Sequence, residues 1–381
     1  MAEHRWKLID PEQDLCRDLA IDGRELPGTP PGWSVTKRTL QTGLSRGVEL
    51  VEIDNGRLKI AVVPTRGMGI WRAWIDGQTL GWKSPVRGPV HPAYVPIGEP
   101  NGLGWVSGFD ELMCRCGMDS NGAPDFDERG QLRYSLHGRV ANLPACYLEL
   151  VIDDSLGTIT LHGQVEETRF HFQKLRLHTT LSTRFESSSV SWHDEVENFG
   201  GQPTEMQMMY HTNIGLPQLD AGSRLHMPVS QVAPGTEESA RVGTDGWHEY
   251  SGPQAGFIEQ CYYFRLLGDE AGETRILLKN AAASSGVGMR FNLLELPCFT
   301  LWKNMVAEAD GYVTGLEPGT NYPNPRTSEG KKGRVVSLQP SARWQATVTL
   351  DWLSQPAELD QAEQAIAQLQ GSHEPSVLAE L

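Results

Sequence analysis

The sequence predicts an all-β protein with minor α content, a large antiparallel β-sandwich that ends in a C-terminal helix. Short apolar runs with alternating side chains recur along the chain, and turns that contain glycine or proline separate them. Nothing between these runs reads as a crossover helix, which parallel neighbours would need, so we expect antiparallel pairing. Helical periodicity appears only after Pro356.

The order of these signals predicts three segments. Glycine, proline and charged residues dominate residues 1–45, which are expected to form an irregular lead-in with one short helix across 12–19. One large β-sandwich domain is expected over 46–353, because no repeat, linker or change of composition divides it. Residues 354–381 are expected to form the C-terminal helix and tail, with Gly371 as the helix stop.

The clearest local signal in this domain is a hairpin at Asn55-Gly56, a dipeptide typical of two-residue turns, between the apolar runs 48–53 and 58–63. Residues 84–135 show no periodicity and are expected to form a long packed loop, which is frequently functional. Regular strands are predicted beyond this loop at 146–152, 158–165, 172–181, 189–196, 225–229, 261–267, 274–279, 287–291, 299–302 and 347–353.

Composition excludes several classes of partner. A formal net charge of −15 argues against nucleic acid, whose binding depends on clustered Lys and Arg. No apolar run approaches the roughly 20 residues of a membrane-spanning helix, and the first residues lack the apolar core of a signal peptide. The six cysteines are too sparse for a disulfide scaffold, and Cys114-Arg115-Cys116 has no second pair with which to bind zinc. We therefore expect a cytoplasmic protein with a neutral small-molecule ligand and no metal site; the sequence leaves a homodimer open.

Residue types suited to acid–base chemistry occur at three strand ends or turns. They are the stretches Leu136–Arg139, Tyr210–Asn213 and Gly315–Asn321. A histidine exchanges protons near neutral pH, and a carboxylate in a suitable environment is the complementary base. The two histidines and one glutamate of these stretches therefore suffice for concerted proton transfer, although each residue alone has an ordinary structural explanation.

An ordered set of motifs gives the sequence a resemblance to a known family. The motifs are Val62–Gly69, Gly108–Met118, His137–Arg139, Met209–Gly215, Trp302-Lys303 and Gly315–Pro318. Together they resemble the aldose 1-epimerase, or galactose mutarotase-like, superfamily, and within it the bacterial mutarotase-like branch classed as a domain of unknown function. The resemblance covers roughly residues 45–353 and depends on the whole set.

The resemblance implies a galactose mutarotase-like supersandwich, with a sugar cleft on the concave face of one sheet. It also implies cofactor-free interconversion of the anomers of a monosaccharide or sugar derivative. By this resemblance Glu317 takes the proton of the anomeric hydroxyl, His211 protonates the ring oxygen, and His137 supports the ring oxygen or a neighbouring hydroxyl. Six residues that flank the motifs are expected to contact the substrate: Arg66, Arg139, Asn213, Trp302, Lys303 and Asn321.

One departure from the family pattern concerns the substrate. The residues that follow His211 are Thr212-Asn213-Ile214, where the well-studied mutarotases usually have proline and an aromatic residue. Lys303 and Arg139 also allow an acidic or phosphorylated sugar. Two other functions stay open: a non-catalytic carbohydrate-binding or regulatory protein, and a metal-dependent sugar isomerase, for which a close His-x-His pair with a matched carboxylate is lacking.

Overall fold

The computed structural model describes residues 3–381. The strands in the first part of the chain are β1 (Glu3–Asp10), β2 (Leu15–Cys16), β3 (Leu19–Asp22), β4 (Ser34–Thr39), β5 (Glu49–Asp54), β6 (Leu58–Val63), β7 (Gly69–Ile75), β8 (Gln78–Leu80), β9 (Met113–Met118), β10 (Asp125–Phe126), β11 (Leu132–Tyr134), β12 (Ala145–Asp153), β13 (Thr158–Thr168), β14 (Lys174–Arg184), β15 (Ser189–Asn198) and β16 (Thr204–Ile214).

The later strands are β17 (Arg224–His226), β18 (Val229–Pro234), β19 (Gln260–Leu266), β20 (Glu273–Lys279), β21 (Gly286–Asn292), β22 (Cys298–Asn304), β23 (Val313–Gly319), β24 (Val336–Leu338), β25 (Arg343–Leu353) and β26 (Ser376–Val377). The α-helices are α1 (Glu237–Val242), α2 (Arg326–Lys331) and α3 (Pro356–Gln370). Short 3₁₀ turns occupy Pro11–Gln13, Gly43–Ser45, Pro64–Arg66, Pro92–Tyr94, Gly104–Gly108, Val140–Asn142 and Glu308–Asp310. None of the helices within residues 3–381 combines the length and apolar character needed to cross a bilayer.

The predicted fold class is confirmed, and two local predictions show why. Strands β5 and β6 pair antiparallel across the Asn55-Gly56 turn, where the Asn55 Oδ1 atom accepts from the Leu58 amide at 2.8 Å. Helix α3 begins at Pro356 and ends before Gly371, and the Glu358 carboxylate accepts from the Gln355 amide at its start. Turn and cap chemistry are local, so the sequence alone specifies both elements.

The structure differs from the expectation at the start of the chain. Residues 3–39 contain the four strands β1–β4, where an irregular lead-in with one short helix was expected; residues 1–2 of that segment lie outside the described part. Strand β1 pairs antiparallel with β12, and its Arg5 side chain reaches Glu149 at 2.9 Å. Charged side chains are common on strands near the edge of a sheet, and they conceal the apolar alternation.

A second difference is strand β9, which lies inside the stretch expected to be one long loop. All six of its residues are buried, so its sequence shows no alternation of apolar and polar positions. Its Arg115 is fully buried and its Nε atom lies 2.5 Å from the Asp194 carboxylate. A charged residue on a fully buried strand therefore makes the strand hard to recognise from the hydrophobic pattern of the sequence.

The described chain divides into two compact units. The first unit contains residues 3–79, 86–208 and 323–347, and the second contains 80–85, 209–322 and 348–381. In the second unit, β17, β20, β21 and the end of β25 form one antiparallel sheet. Strands β18, β19, β22, β23 and the end of β16 form another.

The core of the second unit lies between these two sheets. Phe291 of β21 stacks on Phe299 of β22, with ring centroids 6.1 Å apart. Helix α3 covers the other side of β20, where its Leu359 and Ile366 pack on Leu277. The helix and the core therefore occupy both sides of one sheet, and the other sheet turns one face toward the core and presents the opposite face for a site.

Candidate functional site

The candidate site lies on the face of the β19–β22–β23–β16 sheet that points away from the core of the second unit. Register sets two rows of side chains across this face. In the first row Tyr263 pairs with Thr300, and Thr300 with Glu317. The same alignment that pairs Thr212 with Leu316 sets His211 opposite Glu317. The parallel row contains Cys261, Trp302, Gly315 and Asn213.

Two of the predicted catalytic residues meet in this face. The His211 Nε2 atom lies 3.2 Å from the Glu317 Oε1 atom. Both side chains are buried, with 5% and 2% of their surface exposed. They meet because His211 on β16 and Glu317 on β23 occupy directly opposed positions, and the side chains of opposed residues are close neighbours in an antiparallel sheet.

The environment changes the chemistry of Glu317. Burial raises the pKa of its carboxyl well above the ordinary 4.5, and the negative charge of Glu259 raises it further. A carboxylate of raised pKa is a stronger base once it is ionised, and a proton donor or acceptor works best when its pKa lies near the working pH. The pair therefore has the character of an acid–base couple.

Gly315 makes room for this pair. A Cβ atom at this position would lie 2.2 Å from Glu317 Oε1 and 3.2 Å from His211 Cε1. The first distance is far shorter than any van der Waals contact, so no larger residue fits beneath the carboxyl in this arrangement. The glycine belongs to the same motif as Glu317, and its function becomes visible only from the strand register.

Two predicted substrate contacts lie beside the pair. The Trp302 ring meets the His211 ring edge-on, with centroids 5.5 Å apart, and its Nε1 atom donates to Glu259 at 2.8 Å. Asn213 is fully buried on the same face, and its Nδ2 atom donates to the His211 carbonyl at 3.3 Å. Trp302 is half-buried and offers an aromatic surface next to the acid–base couple.

Two other predicted contacts in this unit have internal partners instead. The Lys303 ammonium points away from the Trp302 side of its strand and donates to the carbonyls of Trp247 at 3.0 Å and Glu249 at 2.6 Å. Burial lowers its pKa to about 8. Asn321 is buried and its Nδ2 atom donates to the Tyr322 carbonyl at 2.7 Å. Both side chains stabilise loops of the second unit.

His137, the third predicted catalytic residue, belongs to the first unit. Its Nδ1 atom lies 2.9 Å from the Asn121 carbonyl, and its ring meets Trp105 edge-on at 4.6 Å. Burial lowers the pKa of the imidazole to about 4, so the ring is neutral at physiological pH. A carbonyl only accepts hydrogen bonds, which places the proton on Nδ1 and makes Nε2 an acceptor. This state suits an interaction with a hydroxyl group better than protonation of a ring oxygen.

Two predicted arginines also belong to the first unit. Arg66 is buried and donates to the carboxylate of Glu111 at 2.5 Å and to the amide oxygen of Asn142 at 2.7 Å. Its remaining donors reach the carbonyls of Val90 and Gly108. Arg66 therefore organises the interior of this unit. Arg139 is half-buried, and its positive charge lowers the pKa of the Asp119 carboxyl. Burial and the charge of Glu167 have the larger effect, so the pKa of Asp119 lies well above its ordinary value overall.

The site face also contains functional candidates that were not singled out from the sequence: Glu259, Cys261, Thr300 and Gly315. Each is an ordinary residue of a strand or loop when read alone. The signal that could have found the strand residues among them is the face of the sheet on which they lie. Each one is either an even number of positions from a predicted site residue on its own strand or directly opposite one on the neighbouring strand.

Among residues 3–381, no group of three or more His, Cys, Asp or Glu side chains converges as a metal-binding set.

Comparison with known sequences gives one family match. The family described as Domain of unknown function (DUF4432) matches residues 45–351. A search among functionally curated proteins finds no match.

Solved structures extend this result. A protein of Klebsiella pneumoniae subsp. pneumoniae, provisionally named an aldose 1-epimerase, has 35% sequence identity and a TM-score of 0.95, covering 100% of this chain and 99% of its own. A galactose mutarotase-like protein of Clostridium acetobutylicum has 13% identity and a TM-score of 0.57, over 84% of this chain and 98% of its own. A galactose mutarotase related enzyme of Lactobacillus acidophilus has 12% identity and a TM-score of 0.55, over 80% of this chain and 97% of its own. The two distant matches show a galactose mutarotase-like fold.

Proposed function

This chain belongs to the DUF4432 family and has a mutarotase-like fold, and from that premise we propose that it is a sugar mutarotase. In this proposal it is an isomerase that interconverts the anomers of a monosaccharide or sugar derivative by opening and reclosing the ring. The single observation that carries the proposal is the buried contact of His211 Nε2 with Glu317 Oε1 at 3.2 Å. It places a base and an acid as close together as the two oxygens of a hemiacetal require.

The reaction needs two proton transfers. Glu317, as the carboxylate, takes the proton from the anomeric hydroxyl, and His211, as the imidazolium, gives a proton to the ring oxygen. The bond between the anomeric carbon and the ring oxygen breaks, and the anomeric oxygen becomes a carbonyl oxygen. Rotation of the aldehyde and the reverse transfers then close the ring as the other anomer.

Proton balance explains why a close pair suits this chemistry. Ring opening converts an ionised Glu317 and a protonated His211 into a protonated Glu317 and a neutral His211. Ring closure restores the first state, so the pair needs no proton from solvent during a turnover. The raised pKa of Glu317 favours its protonated form, which is the form that ring opening produces.

The remaining face supports binding of a carbohydrate. The half-buried Trp302 offers a ring on which the apolar face of a sugar can pack, and the exposed Glu259 offers a carboxylate for hydroxyl groups. The Lys303 ammonium donates to the carbonyls of Trp247 and Glu249, so it does not favour an anionic sugar as the substrate. A cytoplasmic location and a small carbohydrate as the only ligand are part of this proposal.

The test is acceleration of anomer exchange by the purified protein. Freshly dissolved α-D-glucose, α-D-galactose and α-D-xylose represent neutral sugars, and glucuronate and glucose 6-phosphate represent anionic ones. Exchange is followed by polarimetry or saturation-transfer NMR for the wild type and for Glu317→Gln and His211→Asn. We expect exchange above the buffer rate in the wild type and its loss in both variants. Sugar binding without acceleration by the wild type would instead indicate a carbohydrate-binding protein.

A further inference from the structure

Thr300 lies opposite Glu317 on the site face, and no hydrogen bond within the described residues explains why its side chain carries a hydroxyl group. The two residues are a directly opposed pair on the antiparallel strands β22 and β23. Only 1% of Thr300 is exposed, and within residues 3–381 its Oγ1 atom has no hydrogen-bond partner. A buried hydroxyl without a partner destabilises the folded protein, and a bound ligand that forms a hydrogen bond with it removes this cost.

The residue directly opposite Thr300 also has a side-chain oxygen without a hydrogen-bond partner in the described part of the chain. Glu317 Oε1 also has no hydrogen bond among the described residues, although it lies at ion-pair distance from His211. Cβ atoms of directly opposed residues in an antiparallel pair lie about 4.5–5.5 Å apart, so Thr300 and Glu317 face the same small volume. A group that bridges them must donate to a carboxylate and accept from a hydroxyl. A sugar hydroxyl does both.

The order of residues across the sheet indicates which hydroxyl this is. Register sets Thr300, Glu317 and His211 side by side on three neighbouring strands. If the ring oxygen lies at His211 and the anomeric hydroxyl at Glu317, Thr300 lies on the far side of the anomeric oxygen from the ring oxygen. We propose that the Thr300 hydroxyl donates a hydrogen bond to the anomeric oxygen of the substrate while Glu317 removes its proton.

This inference rests on the proposed mutarotase function and adds a third group to its chemistry. Negative charge develops on the anomeric oxygen as its proton moves to Glu317, before the carbonyl bond is complete. A donor already aimed at this oxygen stabilises the charge without reorganisation. Thr300 carries no charge and exchanges no proton in this step, so the two proton transfers described above stay balanced.

The test compares two substitutions with opposite chemistry. Thr300→Val keeps the shape of the side chain and removes the hydroxyl, whereas Thr300→Ser keeps the hydroxyl and removes a methyl group. We expect kcat for anomer exchange to fall about 10- to 100-fold in Thr300→Val and to stay within about threefold of the wild type in Thr300→Ser. The melting temperature of Thr300→Val should equal or exceed that of the wild type, because the hydroxyl has no partner in the protein.

A second measurement separates this function from simple packing. The probes are the aldose from the panel above that is exchanged fastest and its 1,5-anhydro analogue, which lacks the anomeric hydroxyl. Thr300→Val should bind the analogue as the wild type does and bind the aldose more weakly, because the lost contact is to the missing hydroxyl. The acid limb of the pH profile should stay in place, since Glu317 is unchanged.

Three results would overturn the inference. They are a wild-type kcat in Thr300→Val, an equal loss of kcat in both variants, and an equal loss of affinity for the aldose and its analogue. Failure of the mutarotase proposal looks different, because Glu317→Gln and His211→Asn would then exchange anomers as the wild type does, or the wild type would show no acceleration at all.

Discussion

The His211 Nε2 atom and the Glu317 Oε1 atom lie 3.2 Å apart in a face where both side chains are buried. Burial of this pair has a consequence beyond catalysis. The carboxyl of Glu317 has a pKa well above its ordinary 4.5 in the folded protein, because the surroundings disfavour its ionised form. The folded state therefore holds this proton at pH values at which the unfolded chain has lost it.

Linkage makes the stability of the protein depend on this proton. A group whose folded pKa is raised contributes stability below its unfolded pKa and loses that contribution as the pH rises through the folded pKa. Glu317→Gln cannot lose a proton, so its stability relative to the wild type should increase as the pH rises above about 4.5. Melting temperatures of both proteins between pH 4 and pH 8 measure this difference. Curves that stay parallel would show that Glu317 ionises in the fold as it does in the unfolded chain.

Glu259 should influence the pH profile from the edge of the site. Its charge is one of the causes that raise the pKa of Glu317, and its carboxylate accepts from Trp302 Nε1 at 2.8 Å. Glu259→Gln removes the charge and keeps an oxygen that accepts from the indole. We expect the acid limb of kcat to move to lower pH in this variant, because Glu317 then ionises more readily. An unmoved limb would mean that the charge of Glu259 does not reach the catalytic carboxyl.

Gly315 should not tolerate a methyl group. Alanine at this position would place its Cβ 2.2 Å from Glu317 Oε1, so the carboxyl must leave His211. We expect Gly315→Ala to lower kcat by about 100-fold, the size of effect that a misplacement of about 1 Å produces.

The matched control for this variant is Gly288→Ala. It also lies in a strand of the second unit, but the nearest atom to its added Cβ would be Asp351 Cβ at 3.6 Å, an ordinary contact. This substitution should leave anomer exchange close to that of the wild type. Equal activity of the two alanine variants would contradict the geometric requirement at Gly315.

Lys303→Met distinguishes a structural lysine from a substrate contact. The methionine keeps the apolar stem but loses the hydrogen bonds to the carbonyls of Trp247 and Glu249. We expect the free energy of unfolding to fall by about 1.5–3 kcal/mol, the range for hydrogen bonds made by a charged group, with KM unchanged. A raised KM at unchanged stability would return Lys303 to the set of substrate contacts.

The sequence predicted the parts of this fold whose causes are local. The β5–β6 hairpin depends on one turn dipeptide, and helix α3 on a cap, an apolar stripe and a glycine stop. Strands β1 and β9 were not predicted, and the two reasons are opposite. Strand β1 has exposed charged side chains, whereas β9 is buried at every position. Hydrophobic alternation marks only strands with one wet and one dry face.

The same distinction holds for the candidate site. His211 and Glu317 were selected because their residue types and motifs suit proton transfer. Thr300 and Gly315 have no such signal, since their function depends on which residues stand opposite them across the sheet. Strand register between distant segments is a property of the folded sheet, and a change of one residue would turn each side chain to the other face.

The most direct test of the central claim is the rate of anomer exchange in Glu317→Gln, His211→Asn and the double variant. Two groups that transfer protons in one concerted step fail together, so the double variant should be no slower than the slower single variant. The wild type should exceed each of the three by at least about 100-fold, within the range of general acid–base catalysis. Single variants that match the wild type, or losses that multiply in the double variant, would contradict the account.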